Sequence, residues 1–354
     1  MIGSRSGGCD GGMKKVIYLW LWARWFGMAE FGIMGVLTEL AHNVGISIPA
    51  AGHMISYYAL GVVVGAPIIA LFSSRYSLKH ILLFLVALCV IGNAMFTLSS
   101  SYLMLAIGRL VSGFPHGAFF GVGAIVLSKI IKPGKVTAAV AGMVSGMTVA
   151  NLLGIPLGTY LSQEFSWRYT FLLIAVFNIA VMASVYFWVP DIRDEAKENY
   201  ANNFIFYAAL PRRLIFAATM FGNAGVFCLV QLRKAIHDVY SGFSETAMTF
   251  IMMLVGLGMV LGNVLSGRIS GRYSPLRIAA VTDFIIVLAL LMLFFLRRHE
   301  NNVAYFLLFI CCAGLFALSA PLQILLLQNA KGGELLGAAG GQIAFNLGSA
   351  VGAY

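Results

Sequence analysis

Glu30, Arg109 and His116 sit inside long apolar stretches, and these three side chains carry most of the chemistry this sequence offers. Glu30 lies in the run Gly27-Met28-Ala29-Glu30-Phe31-Gly32. An ionised group deep in hydrocarbon costs roughly 2.5–3.5 kcal/mol on insertion scales, so an intramembrane charge marks a functional site by default. A carboxyl in that place can load a proton from one side and release it to the other as its surroundings alternate. The other reading is a polar residue hydrogen-bonded between helices, or one lining water without titrating. Arg109 keeps its charge and needs acceptors. A partnership with Glu30 would satisfy both groups and would form or break as the carboxyl titrates; a fixed anchor to backbone carbonyls is the structural counterpart. His116 follows seven residues later, two helical turns on, which places it near the Arg109 face. An imidazole there can shuttle protons, bind a hydroxyl, or simply be packed and hydrogen-bonded.

Around these three stand weaker candidates. Tyr57, Tyr58, Asn151 and Asn346 are candidate pocket donors, and Asn151 could equally bond across a helix interface. Gly142, Gly146, Gly154 and Gly158, with Pro156, suit close helix approach and a kink. Asp283 falls where its side chain can reach water at a span end. No paired carboxylates or His/Glu set with metal-ligand spacing occurs, so neither an enzyme, a metal nor a cofactor is expected. A G-x-x-x-x-G-K-[ST] loop is absent, which removes nucleotide-driven chemistry: the one Gly-Lys pair, Gly134-Lys135, follows Pro133 and precedes Val136. The five cysteines, Cys9, Cys89, Cys228, Cys311 and Cys312, show no C-x-x-C spacing and read as small buried residues.

The elements that must position these groups follow from composition. Of 354 residues 60% are hydrophobic and 10% charged, against about 25% charged in soluble domains. Such a chain cannot cover a solvated surface, and its outer face suits lipid. The net charge of +10 forms no basic face with interleaved aromatics, so nucleic acid is excluded as a partner. With about 20 apolar residues needed per crossing, spans are predicted near 16–40, 50–72, 81–98, 102–130, 137–161, 169–190, 214–232, 246–267, 278–296, 303–327 and 335–354. Lys14, Lys15, Arg75, Lys79, Lys129, Lys132, Lys135, Arg193, Lys197, Arg212, Arg213, Arg268, Arg272, Arg277 and Lys331 fall in the first segment and every second loop. The opposite loops hold only Arg168, Arg233, Lys234, Arg297 and Arg298, which predicts a cytoplasmic N-terminus.

An internal repeat emerges when residues 51–83 are laid on 248–280, a displacement of 197: Leu60, Gly61, Val63, Gly65, Ser73, Arg75, Tyr76, Ser77 and Ile81 fall on identical residues. Both copies join the second and third spans of a half on the same side, so the repeat is parallel, an arrangement used by transporters with a midplane site. Local motifs sharpen this. They are Gly65-Ala66-Pro67 in span 2, Gly108-Arg109 through Gly113-Phe114-Pro115-His116-Gly117 in span 4, Asn151 through Gly154-Ile155-Pro156 in span 5, Trp167-Arg168, and Phe345-Asn346-Leu347-Gly348 in span 11. In this order and spacing they resemble the drug:proton antiporter and sugar-efflux branch of the major facilitator superfamily, most of all its arabinose-efflux members.

The resemblance implies an all-α polytopic membrane protein of the major-facilitator type, two six-helix bundles, here with about eleven spans. Residues 1–12 are expected as a Gly/Ser-rich tail, 13–190 as the N-terminal bundle, 191–213 as a cytoplasmic linker and 214–354 as a C-terminal bundle one span short. The implied activity is secondary transport by alternating access: proton-coupled efflux of sugars or similar small solutes, with a drug or nucleoside exporter, or a receptor without transport, as alternatives. Partners are then the lipid bilayer, protons and a solute, with the protein a monomer in the bacterial inner membrane. Arg75, Lys79, Arg272 and Arg277 are implied as gate-loop residues, although Ser74 stands where the family places an Asp. Four blocks break the pattern: 18–26 with Arg24 in mid-span, 201–213, 228–240 and 296–302. We read them as local reading-frame shifts or sequence errors and not adaptations, which resequencing tests.

Overall fold

A computed structural model describes residues 27–30, 32–73, 76–131, 136–192, 210–240, 245–269, 272–295, 301–329 and 334–353. The end of span 1 is helical at 27–30, passes through a 3-10 turn at Gly32–Gly35 and resumes as α1 (Leu37–Val44). The predicted span was continuous and stopped at 40. The glycines loosen its middle, and the stop is set by Gly45, whose φ of 73° closes the helix with an N–H bond to Ala41 O. Then follow α2 (Ile48–Ser73), α3 (Leu78–Leu98), α4 (Tyr102–Ile130), α5 (Val136–Glu164) and α6 (Trp167–Trp188). The later part of the chain forms α7 (Leu210–Tyr240), α8 (Glu245–Ile269), α9 (Pro275–Phe295), α10 (Asn301–Gln328) and α11 (Glu334–Ala353). Ser77, Ser101 and Ser166 cap α3, α4 and α6 by accepting a bond from a backbone N–H two or three residues ahead. Of the irregular blocks, 18–26, 201–209 and 296–300 lie outside the described residues, while α7 continues its helical backbone through 228–240.

Six of these helices, α2, α3, α4, α6, α9 and α10, are long and apolar enough to cross a bilayer. Apolar side chains fill the interior and also cover much of the outer face. Helix α9 packs along α10 and leaves Phe284, Phe294 and Phe295 at 68%, 81% and 76% exposure, an apolar surface that lipid covers and water would not.

The same packing occurs twice. Helix α2 crosses α4 and α3 lies along α4; α8 crosses α10 and α9 lies along α10. The two parts of the chain meet through α2 against α11 and α5 against α8, contacts that exchange under the repeat. At both crossings glycines let backbone touch backbone. A Cβ on Gly61 or Gly65 of α2 would strike the carbonyl oxygens of Leu110 and Phe114 on α4. A Cβ on Gly258 or Gly262 of α8 would strike those of Phe309 and Ala313 on α10. These are the glycines that the repeat superimposes, so the sequence symmetry is a symmetry of helix crossings.

Gly65→Ala and Gly262→Ala should therefore each destabilise the protein by about 1–3 kcal/mol, the usual cost of overpacking. Gly52→Ala, where a new Cβ meets nothing within 4 Å, should leave stability unchanged or slightly raised. Thermal melting of the purified variants in detergent checks both expectations.

Candidate functional site

The α2–α4 crossing fixes the register of two faces. Tyr58 on α2 and Arg109 and His116 on α4 turn toward span 1, where Glu30 sits two residues before the Gly32–Gly35 bend. All four are buried: Glu30 is 5% exposed, Tyr58 1%, and Arg109 and His116 fully enclosed. The enclosing cluster includes Met28, Ala29, Phe96, Trp167 and Phe171.

Arg109 ties these elements together. Its Nε donates to Met54 O at 3.1 Å, Nη1 to Ala29 O at 2.7 Å and Nη2 to Glu30 main-chain O at 3.5 Å. Its guanidinium lies 4.3 Å above the Tyr58 ring and 5.7 and 5.8 Å from Phe96 and Phe171, so it is solvated by aromatic faces as well as by carbonyls. Of the two readings of Arg109, the anchor to backbone carbonyls is the one seen in these hydrogen bonds. The guanidinium hydrogen-bonds to main-chain oxygens, because a loosened span 1 and the start of α2 present carbonyls at the right spacing for its planar fork.

The Glu30 carboxylate instead faces His116: Oε2 lies 3.5 Å from His116 Nε2. Oε2 makes no hydrogen bond among the described residues. On its other side the His116 ring meets the Tyr58 hydroxyl, with Nδ1 and Oη 2.8 Å apart and the two rings edge to face. The structure thus brings Glu30, His116 and Tyr58 into one line beside a permanent cation. The step from His116 to Glu30, at 3.5 Å, is a close contact and not a hydrogen bond.

The remaining candidates disperse. Tyr57, one residue from Tyr58, lies on a different face and meets Tyr102 Oη at 3.3 Å, which also contacts His53 Nδ1 at 3.2 Å. Gly154 and Gly158 do face span 1: a Cβ there would lie 3.0 Å from the Met28 side chain and 3.4 Å from Gly32 O. Gly146 is buried and Gly142 half-buried, its carbonyl accepting from Ser145 Oγ at 2.6 Å; Pro156 lies within α5. The side chain of Asn151 and all of Arg75 are outside the described residues. Lys79 lies 5.2 Å over the Tyr186 ring, binding the start of α3 to α6, while Arg272 and Arg277 are exposed. Asp283 is half-buried about two turns into α9. Asn346 is fully buried, with Nδ2 donating to Gln342 O at 3.0 Å.

Two features escaped the sequence reading. Arg168, counted there only as an outer-loop cation, donates to Thr97 O, Asn43 Oδ1 and Ser99 O at 3.1, 2.9 and 2.8 Å. It thereby clasps the ends of α1, α3 and α6. The second is a set of buried amides, Asn223, Gln323 and Gln342, in the later helices; polar residues inside apolar spans were the signal that could have found them.

Helices of bilayer length, a lipid-suited exterior and charge sealed in the interior define a multi-pass membrane protein. The chain belongs to the Major Facilitator Superfamily, whose model matches residues 24–353. It is 87% identical over 343 residues to "Putative transporter AraJ" of Escherichia coli K12, covering 97% of this chain and 87% of that protein. With "Inner membrane transport protein YdhP" of the same organism it shares 32% identity over 335 residues, 92% of this chain and 84% of that one. The proton:xylose symporter XylE, solved with 6-bromo-6-deoxy-D-glucose, has the same fold: TM-score 0.77 at 15% identity, covering 98% of this chain and 88% of that one. The protein is accordingly a secondary transporter of small solutes and not an enzyme.

Replacing Arg109 with Lys removes the fork that reaches three carbonyls. Hydrogen bonds from charged groups contribute about 1.5–3 kcal/mol each when lost, so Arg109→Lys should lower stability by about 2–3 kcal/mol and depress the melting temperature in detergent. An unchanged melting temperature would show that the carbonyl anchoring does not hold span 1 in place.

Proposed function

We propose that this protein exports sugars or similar neutral solutes across the bacterial inner membrane in exchange for protons, by alternating access. The two bundles, 13–190 and 214–354, rock about the linker 191–213, with the N-terminus cytoplasmic as the Lys/Arg bias favours. The observation that carries the reading is the buried Glu30 carboxylate facing His116 Nε2 at 3.5 Å beside a guanidinium that never loses its charge. With Glu30 ionised, His116 presents its Nε2–H to the carboxylate and Tyr58 donates its O–H to Nδ1. Protonating Glu30 reverses the line: the carboxyl O–H points to Nε2, and Nδ1–H donates to Tyr58 Oη. Protonation also leaves Arg109 without a neighbouring negative charge, so the interior changes its net charge by one as the proton binds. That change gives the outward-open and inward-open forms different proton affinities, which coupling requires.

The driving force suffices. One proton crossing 100 mV releases about 2.3 kcal/mol, and at about 1.4 kcal/mol per tenfold this sustains roughly a 50-fold solute gradient. The 87% identity to a transporter and the inner-membrane name of a second relative support the location, and the arabinose-efflux motifs support the solute class.

Glu30→Gln should reduce pH-driven sugar flux from loaded proteoliposomes to the leak of protein-free vesicles, while sugar-for-sugar exchange at equal pH stays close to that of the unmodified protein. Retained pH-driven flux in this variant removes Glu30 from the coupling step.

A further inference from the structure

The two halves use the same turn differently. Under the displacement of 197 residues, Arg75, Tyr76, Ser77 and His80 between α2 and α3 fall on Arg272, Tyr273, Ser274 and Arg277 between α8 and α9. The helix starts match: Ser77 Oγ accepts from His80 N–H at 3.5 Å, and Ser274 Oγ from Arg277 N–H at 3.4 Å. In the first half the chain itself answers the positive charge at this start. His80 Nδ1 lies 4.0 Å from Asp191 Oδ1, and Leu78 N–H donates to Ile192 O at 2.9 Å beside the Lys79–Tyr186 contact. In the second half Arg268, Arg272 and Arg277 are exposed, and among the described residues no acid lies within ion-pair distance of any of them. Asp283, the acid of α9, stands six residues past Arg277, about 9 Å further along the axis.

We propose that the α8–α9 turn binds the phosphate of an anionic phospholipid through Arg268, Arg272 and Arg277. Two exposed apolar rows lead to it. On α8, Leu257, Leu261 and Leu265 follow at four-residue steps and Arg268 ends the row; on α9, Arg277 begins a row continued by Val281, Phe284 and Leu288. Arg272 lies in the tight turn between them, its N–H donating to Ile269 O at 2.9 Å, so the cations gather at one end of both rows. The matching positions of the first half show that such rows face lipid. Leu60, Val64 and Ile68 on α2 and Phe84 and Ile91 on α3 are exposed even though α6 packs on α3. What differs is the end of the rows, where Leu71 and His80 take the places of Arg268 and Arg277. An apolar surface that ends in unneutralised guanidinium groups is complementary to acyl chains carrying a negative headgroup. Each planar fork can also hold phosphate oxygens by paired N–H bonds. Arg272 and Arg277, expected from the sequence as gate-loop residues, thereby gain a lipid-binding role.

Native mass spectrometry of the purified full chain, released from detergent containing equal amounts of phosphatidylglycerol and phosphatidylcholine, tests this. The unmodified protein should retain phosphatidylglycerol about tenfold over phosphatidylcholine. In the double variant Arg272→Gln, Arg277→Gln that preference should fall to within about twofold. The double variant Arg212→Gln, Arg213→Gln, at the start of α7, should keep it in full, and melting temperatures verify folding. If the first double variant is unstable, Arg277→Gln alone, which leaves the Ser274 cap in place, should lower the preference about threefold. Equal retention of the two lipids by the unmodified protein overturns the proposal. So does the same loss in both double variants, which would reduce the effect to overall charge. Displacement of the lipid by millimolar inorganic phosphate would make this a site for a free anion, and a second protein chain retained in place of lipid would make it a protein interface; either result overturns the proposal too.

Discussion

A guanidinium cannot shed its charge, and Arg109 is fully enclosed, so everything around it has to supply what water would have supplied. Its three N–H bonds reach span 1 and α2, and its flat faces meet rings on α2, α3 and α6. One side chain thus ties α4 to four other segments, and the sequence features nearby follow from that demand. Span 1 must loosen to offer carbonyls, which the glycines at 27, 32 and 35 permit; α2 must come close, which Gly61 and Gly65 permit. Moving the cation even slightly would leave buried donors unpaired, at a cost comparable to a sizeable share of a protein's net stability. The proposed cycle therefore treats the segments tied by Arg109 as one firm body.

The glycine crossings explain how two such bodies can share one design. In hydrocarbon no hydrophobic force drives helices together, so close packing of small residues has to do it. The α2–α4 and α8–α10 crossings use backbone-to-backbone contact at equivalent positions. The contacts between the halves, α2 with α11 and α5 with α8, are themselves equivalent under the repeat. A joint made of two equivalent contacts can open on one side as it closes on the other with little change in buried area, which is the mechanical requirement of alternating access.

The spans were legible because a bilayer imposes length and apolarity on every crossing, and the repeat was legible because it preserves the glycines that crossings need. Ends were placed only to within a few residues: the helices capped by Ser77 and Ser166 start at 78 and 167 where 81 and 169 were expected, and span 1 was misjudged at the Gly32–Gly35 turn, where backbone conformation decides. At the site, burial of Glu30, Arg109 and His116 followed from their place in apolar runs, but their partners did not. Whether Arg109 meets a carboxylate or carbonyls depends on span 1 departing from regular helix, and sequence periodicity does not register that. Tyr57 and Tyr58 looked equivalent in sequence, yet a rotation of 100° per residue sends one to Tyr102 and the other to His116. Asn223 and Gln342 were passed over because an amide carries no charge and so leaves no mark on a hydropathy pattern.

That last difference bears on how a carrier divides its work. A buried ion must stay partnered at every stage of a cycle, since exposing it to hydrocarbon even briefly is expensive. Among the described residues the enclosed ionisable groups Glu30, Arg109 and His116 accordingly lie on span 1 and α4, where the guanidinium has fixed carbonyl contacts. An amide oxygen left without a donor costs far less, so the later helices can enclose Asn223, Gln342 and Asn346 with no charged partner among the described residues. The energetics of being buried thus accounts, among the described residues, for a first half that encloses charged groups and a later part that encloses only amides and hydroxyls.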